Sequence, residues 1–206
     1  VLAGSLLMLC LGTVYSYSVF RKSIENYFLV GSTESGLPYM VALAFYAIFM
    51  WLTGKFIEKF KPSLIVFVGG IIVALSWIAS SFATNILFLT LSYGVLGGAG
   101  AGIIYGVPMA VVAKWFPAKK GLAVGIVLMG FGLSPILTAP LAGFMVQNYG
   151  LQDTFMILGL VFGLIISILS MVFKFPQSTY NSLLSYNNHE DLSQQEMIRE
   201  KSFFAL

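Results

Sequence analysis

The sequence predicts an all-α membrane protein with six transmembrane helices, and two observations carry that reading. Six long apolar runs fill the first 175 residues, and none of the 11 lysines and arginines or eight acids falls inside one. A bilayer core about 30 Å thick takes roughly 20 apolar residues per helix, and runs at 1–20, 37–53, 64–83, 86–113, 121–146 and 154–173 are of that order. The second observation is composition. With 58% hydrophobic and 9% charged residues, the chain has too little polar surface to cover a soluble core, so its backbone polar groups must be satisfied within helices in lipid.

The charges define a topology. Lys55, Lys59 and Lys61 follow the second run and Lys114, Lys119 and Lys120 follow the fourth, while Arg21 and Lys22 are the only bases in the opposite connections. That bias places both ends of the chain in the cytoplasm, in a plasma (cell inner) membrane. The net charge of +3 is therefore a matter of topology, and no basic stripe with interleaved aromatics points to nucleic acid.

Taken in order, the first run holds the lone Cys10, without CxxC or metal-ligand spacing, and the segment Gly12-Thr-Val-Tyr15. The second places Tyr39, Ala42, Tyr46, Phe49 and Thr53 on one helical face. Tyr39, near the run's end, reads as an interface anchor, and Tyr46 reads equally as cavity or interface. The Gly54-Lys-Phe-Ile-Glu58-Lys59 connection precedes the third run.

The fourth run carries Gly94, Gly98, Gly102 and Gly106 at four-residue spacing, a stripe that lets a neighbouring backbone approach closely. The fifth contains Ser134-Pro135, Thr138 and Pro140, and each proline removes a helix hydrogen bond and is expected to kink or loosen the helix. After the sixth run the chain turns polar. Residues 1–175 read as a six-helix transmembrane domain, and 176–206 as a cytoplasmic linker ending in what resembles the first turn of a seventh helix.

Internal repetition organises the runs. Gly12-Thr-Val-Tyr15 recurs as Gly102-Ile-Ile-Tyr105, and the glycine-led segment at Gly54 recurs at Gly143, with offsets of 90 and 89 residues. Two matches at nearly one offset imply two three-helix copies, and an odd number of spans inverts the second copy. Tyr15 and Tyr105 then occupy matching positions near mid-membrane, where a phenol needs a partner or a wet cavity.

Gly54, Glu58 and Lys59 resemble the loop signature of the major facilitator superfamily, although Lys61-Pro62-Ser63 replaces its glycine and basic pair. The acid and base of that signature sit at the cytoplasmic ends of neighbouring helices. More narrowly, Leu11-Gly-Thr-Val-Tyr-Ser-Tyr-Ser-Val-Phe20 and the stretch from Ala101-Gly-Ile-Ile-Tyr105 through Lys114-Trp-Phe-Pro to Gly125 are similar to the oxalate/formate antiporter family and its monocarboxylate-porter relatives. The resemblance covers the N-terminal six-helix half of a twelve-helix fold. It implies that Tyr15 and Tyr105 face the substrate, with Phe131 as a further aromatic, and that a C-terminal six-helix half absent from this chain carries the cations.

The leading functional expectation is a secondary transporter for small carboxylates, with lipid and the second half as its partners and no cofactor. Because no Lys or Arg lies in any run, a neutral solute remains open, as does a non-transporting subunit that needs a separate partner. An intramembrane enzyme would need groups such as paired aspartates, a Ser-His pair or metal-binding histidines at depth, and the runs contain none of these.

The topology is tested by labelling. In a Cys10→Ala background, Ser32→Cys should react with an impermeant thiol reagent in intact cells and Ser63→Cys should not. The opposite pattern would invert the assignment.

Overall fold

The computed structural model describes residues 1–176, and residues Val1–Phe175 pack as one unit. The expected linker beyond Pro176, and the expected start of a further span at 201–206, lie outside the described residues. Those described form helices, five of whose stretches are long and apolar enough to cross a membrane: Leu2–Phe28, Ser32–Gly54, Pro62–Ser81, Ile86–Trp115 and Pro117–Ser170. The chain is a multi-pass membrane protein, and its exposed surface agrees. Leu75, Ile136 and Leu164 are each more than half exposed, while the buried polar residues among those described are all serines and threonines.

The helices outrun the apolar segments that announce them. The first crossing consists of α1 (Leu2–Leu11), a 3₁₀ turn at Gly12–Ser16 and α2 (Tyr17–Phe28). It continues past the expected limit at residue 20 and carries Arg21, Lys22 and Glu25 on its last turns, because backbone hydrogen bonding does not stop where hydrocarbon does. It ends at Leu29, whose left-handed φ of 55° turns the Val30 N–H back onto Glu25 O at 3.2 Å.

The next helix, α3 (Ser32–Gly54), starts where Glu34 Oε2 accepts the Gly31 N–H. Pro62, which has no N–H to satisfy, opens α4 (Pro62–Ser81). The Asn85 side chain caps α5 (Ile86–Leu89) by accepting from Phe88 N. A π-helical stretch at Thr90–Gly97 then leads into α6 (Gly98–Trp115), a widening that nothing in the apolar periodicity announces.

The last element, α7 (Lys120–Ser170), corrects one expectation. Pro135 and Pro140 both sit inside it without disturbing its helical backbone angles. The interruption falls instead at Gly150, whose φ of 83° and ψ of 175° suit only glycine. A straight helix of α7's 51 residues would be roughly 75 Å long, more than twice the hydrocarbon thickness. The break therefore divides α7 into two limbs of membrane-spanning length.

Contact registers give the helix directions. Gly98 lies against Ala42 and Gly102 against Tyr46, so α6 runs parallel to α3. Gly4 meets Val127, Gly12 meets Phe131 and Ser134, and Ser16 meets Thr138, so α1 and the limb before Gly150 are also parallel. Gly70 meets Ile166 and Trp77 meets Gly159, so α4 and the limb after Gly150 are antiparallel.

Lipid supplies no hydrophobic drive between helices, so close packing and hydrogen bonds hold them together. Hydroxyls supply the bonds. Ser134 Oγ donates to Leu9 O at 2.6 Å, Ser16 and Thr138 join at 2.7 Å, and Ser80 and Ser92 join α4 to the π-helical stretch at 3.0 Å.

The glycine stripe divides. A Cβ on Gly98 or Gly102 would collide with backbone carbonyls of α3, whereas one on Gly106 would touch only Ile57 Cδ1 at 3.6 Å. Overpacking typically costs about 1–3 kcal/mol, and collision with backbone belongs at the upper end. Gly98→Val should lower the thermal midpoint in detergent markedly and Gly106→Ala should leave it near wild type. Equal effects would show that the stripe does not set the α3–α6 distance.

Candidate functional site

The 3₁₀ turn at Gly12–Ser16 brings Tyr15 out of the tightly packed first crossing, where half of its surface stays exposed. Its ring meets Phe131 edge-on at 5.1 Å between centroids. Phe131 also meets Tyr105 edge-on at 5.3 Å, and Tyr105 meets Tyr46 at 5.3 Å. The four aromatic residues singled out in the sequence, Tyr15, Tyr46, Tyr105 and Phe131, therefore form one contiguous cluster from four crossing segments. Edge-to-face contact sets the positive rim of one ring against the negative face of the next.

Two close backbone approaches hold the cluster. Gly12 lies against Phe131 O one turn before Tyr15, and Gly102 lies against Tyr46 O one turn before Tyr105. Each tyrosine thus follows a glycine that seats its helix on the backbone of the segment carrying its aromatic neighbour. Tyr105 and Tyr46 are half-buried and Phe131 is buried, so the cluster presents Tyr15 as its open edge.

Tyr15 also lines a recess of about 410 Å³ with Tyr39, Met40, Ser32 and Arg21. Arg21 is committed elsewhere in that recess. Its Nε donates to Ser35 Oγ at 3.1 Å, its Nη2 donates to Ser32 O, and Glu25 Oε1 lies 3.5 Å from Nε. Ser35 Oγ donates in turn to Glu25 Oε1 at 2.8 Å, and Tyr17 donates to Ser35 O at 2.7 Å. This network ties α2 to the start of α3 and shares the Arg21 charge with a carboxylate. Tyr39, expected at the interface, stacks on Tyr17 with centroids 5.5 Å apart.

A second aromatic group packs deeper in the bundle. Phe20, Trp77, Tyr93, Phe155 and Phe162 interlock at 5.2–6.4 Å, and Trp77 touches all four of the others. These rings are buried and fill the bundle centre. Periodicity alone could not separate this core from the more open cluster, because both recur at helical spacing.

At the other end of the bundle the loop motif acquires a partner that its own residues do not name. Lys114 Nζ donates to Glu58 Oε1 at 2.7 Å, joining the Gly54 loop to the end of α6. Lys59 pairs with no acid among the described residues and lies over the Phe56 ring, 5.7 Å from its centroid. Beside the pair, Trp115 Nε1 donates to Lys174 O at 2.8 Å.

The sequence model of the Major Facilitator Superfamily matches residues 2–200. The chain belongs to that superfamily. An oxalate:formate antiporter of Oxalobacter formigenes is 28% identical over 206 residues, covering the whole of this chain and 49% of the relative. Monocarboxylate transporter 13 of Rattus norvegicus is 36% identical over 91 residues, or 44% of this chain and 21% of the relative. Monocarboxylate transporter 9 of the same species is 30% identical over 130 residues, 63% of this chain and 24% of its own. The chain thus spans about half the length of the first of these relatives and less of the others.

The Glu58 carboxylate is more than half exposed, so its pair with Lys114 is largely screened and is worth at most about 1 kcal/mol. Glu58→Gln should therefore shift thermal stability only slightly. A stability loss well beyond that figure would mark the pair as a structural keystone rather than a peripheral contact.

Proposed function

We propose that this chain is the N-terminal half of a secondary transporter for small carboxylate anions such as oxalate, formate or other monocarboxylates, working by alternating access with a second six-helix half. The four-ring cluster carries the proposal. It offers phenol hydroxyls beside a half-exposed tyrosine, at helices that approach each other closely. The names of the relatives support the substrate class, and the length relation supports the second half.

In this reading the chain forms two inverted three-helix repeats, with Gly150 separating the fifth crossing from the sixth. The packing supports it. Under the 90-residue offset, the first repeat's α1 seated on the limb before Gly150 corresponds to the second repeat's α6 seated on α3. Both pairs are parallel, and each is closed by the glycine that precedes a cluster tyrosine. Both chain ends then lie in the cytoplasm, with the Glu58–Lys114 pair on that side, where a rocking motion between halves could make and break it.

The electrostatics favour one alternative. The cation–ring contacts among the described residues fall on Trp51, Phe56 and Phe175 and on none of the cluster rings. Arg21 in the Tyr15 recess is bound to Glu25 and Ser35, and a carboxylate at mid-membrane needs a cation or several donors. If the second half contributes no such cation, the cluster suits a neutral solute instead.

The tyrosines discriminate. A hydrogen bond to a charged group is worth about 1.5–3 kcal/mol, so Tyr15→Phe and Tyr105→Phe in the intact protein should each weaken carboxylate affinity on the order of tenfold to a hundredfold. The rings and their edge contacts remain, so thermal stability should barely move. Tyr39→Phe, stacked on Tyr17, should leave affinity nearly intact. Wild-type affinity in both cluster variants would make these tyrosines packing residues and remove the site.

A further inference from the structure

Hydroxyls buried in helices ordinarily bond the carbonyl three or four residues back, and most of those here do. Ser80 bonds Ser76 O, Ser92 bonds Phe88 O, Thr138 bonds Ser134 O and Thr154 bonds Gly150 O, at 2.6–2.9 Å. Among the described residues, Thr13 Oγ1, Ser76 Oγ and the Tyr46 hydroxyl are the buried side-chain polar atoms with no partner. Thr13 is 2% exposed and Ser76 0%.

Thr13 has a specific reason to be left over. The carbonyl four residues back, Leu9 O, is taken by Ser134 Oγ across the α1–α7 contact. In hydrocarbon an unsatisfied hydroxyl is costly, and two beside one space call for a common partner.

Two of the three, Thr13 and Tyr46, line one cavity. A space of about 40 Å³ between α1, α3, α4 and the π-helical stretch is lined by Thr13, Tyr46, Val73, Trp77 and Gly97. Ser76 lies behind the Gly97 wall, where a Cβ on that glycine would come within 2.7 Å of Ser76 Oγ. A water occupies roughly 10–15 Å³ by this kind of measure and takes two to four polar partners.

We propose that this cavity holds a resident water molecule that bonds Thr13 Oγ1 and Tyr46 Oη. Water fits where a metal ion does not. The side-chain oxygens offered are neutral hydroxyls, whereas a hard cation seeks carboxylate or carbonyl oxygens. The bridge ties the 3₁₀ break of the first crossing to α3, and it holds the Tyr46 phenol on the inner side of the aromatic cluster. It does not depend on what the protein transports.

The test uses the purified intact protein. A density map that resolves ordered waters should show one within hydrogen-bond distance of both Thr13 Oγ1 and Tyr46 Oη, and an empty cavity overturns the proposal. Thr13→Val keeps the side-chain shape and removes the hydroxyl. With the water present it should lower the thermal midpoint by about 2–4 °C, and Thr13→Ser should restore it. Adding Tyr46→Phe to Thr13→Val should cost less than Tyr46→Phe alone, because the bridge is already broken. If Thr13→Val instead melts at or above the wild-type temperature, Thr13 Oγ1 was a dry orphan and the water site does not exist.

Discussion

The approach of one helix backbone to another, with only hydrogen atoms on the facing α-carbons, is the constraint on which the bundle depends. Gly98 and Gly102 against α3, Gly12 and Gly130 against the α1–α7 seam, and Gly69 against Gly100 where α4 crosses α6 are all points where a Cβ would strike backbone. In water such contacts would be one contribution among many. In lipid, where tails are as apolar as side chains, shape and hydrogen bonding must do what burial does elsewhere. The serine and threonine hydroxyls are the second part of the same solution. Ser134 reaching Leu9 O and Ser16 meeting Thr138 cross the seam at the depth where glycine has brought the helices together.

Departures from ideal helix sit beside the aromatic groups. The first crossing tightens to a 3₁₀ turn at Tyr15, the fourth widens to a π-helix at Tyr93, and Gly150 breaks the longest element outright. Each departure changes the angle at which successive side chains leave the axis. Without the turn at Gly12–Ser16, Tyr15 would follow the buried stripe of α1 rather than stand half exposed beside Phe131. Such local windings recur at functional places in helices, and here one of them supplies the open edge of the cluster.

The bundle also separates two tasks that look alike in composition. Trp77 and its four ring neighbours are all buried, while the cluster of Tyr15, Phe131, Tyr105 and Tyr46 opens at the half-exposed Tyr15. The Glu58–Lys114 pair lies away from both groups.

Much of this was legible in the residues alone. The apolar runs determined that the chain lives in a membrane as helices, because continuous apolar runs of about 20 residues fit a spanning helix and are too long for a barrel strand. The repeated glycine–tyrosine segments singled out Tyr15 and Tyr105, and helical spacing added Tyr46. Phe131 came from family resemblance. That these four touch one another was decided only by the tertiary structure, since ring contact depends on helix rotation and depth, which glycine seams set across distant segments. The same holds for Lys114 as the partner of Glu58, 56 residues away. Helix limits were beyond the apolar pattern for a related reason. Hydropathy records where hydrocarbon begins, whereas a helix ends where a backbone carbonyl finds another partner, as at Leu29, or where glycine permits a turn, as at Gly150. The prolines at 135 and 140 show the converse: a local rule predicted a disturbance there, and the backbone angles depart from helix at Gly150 instead.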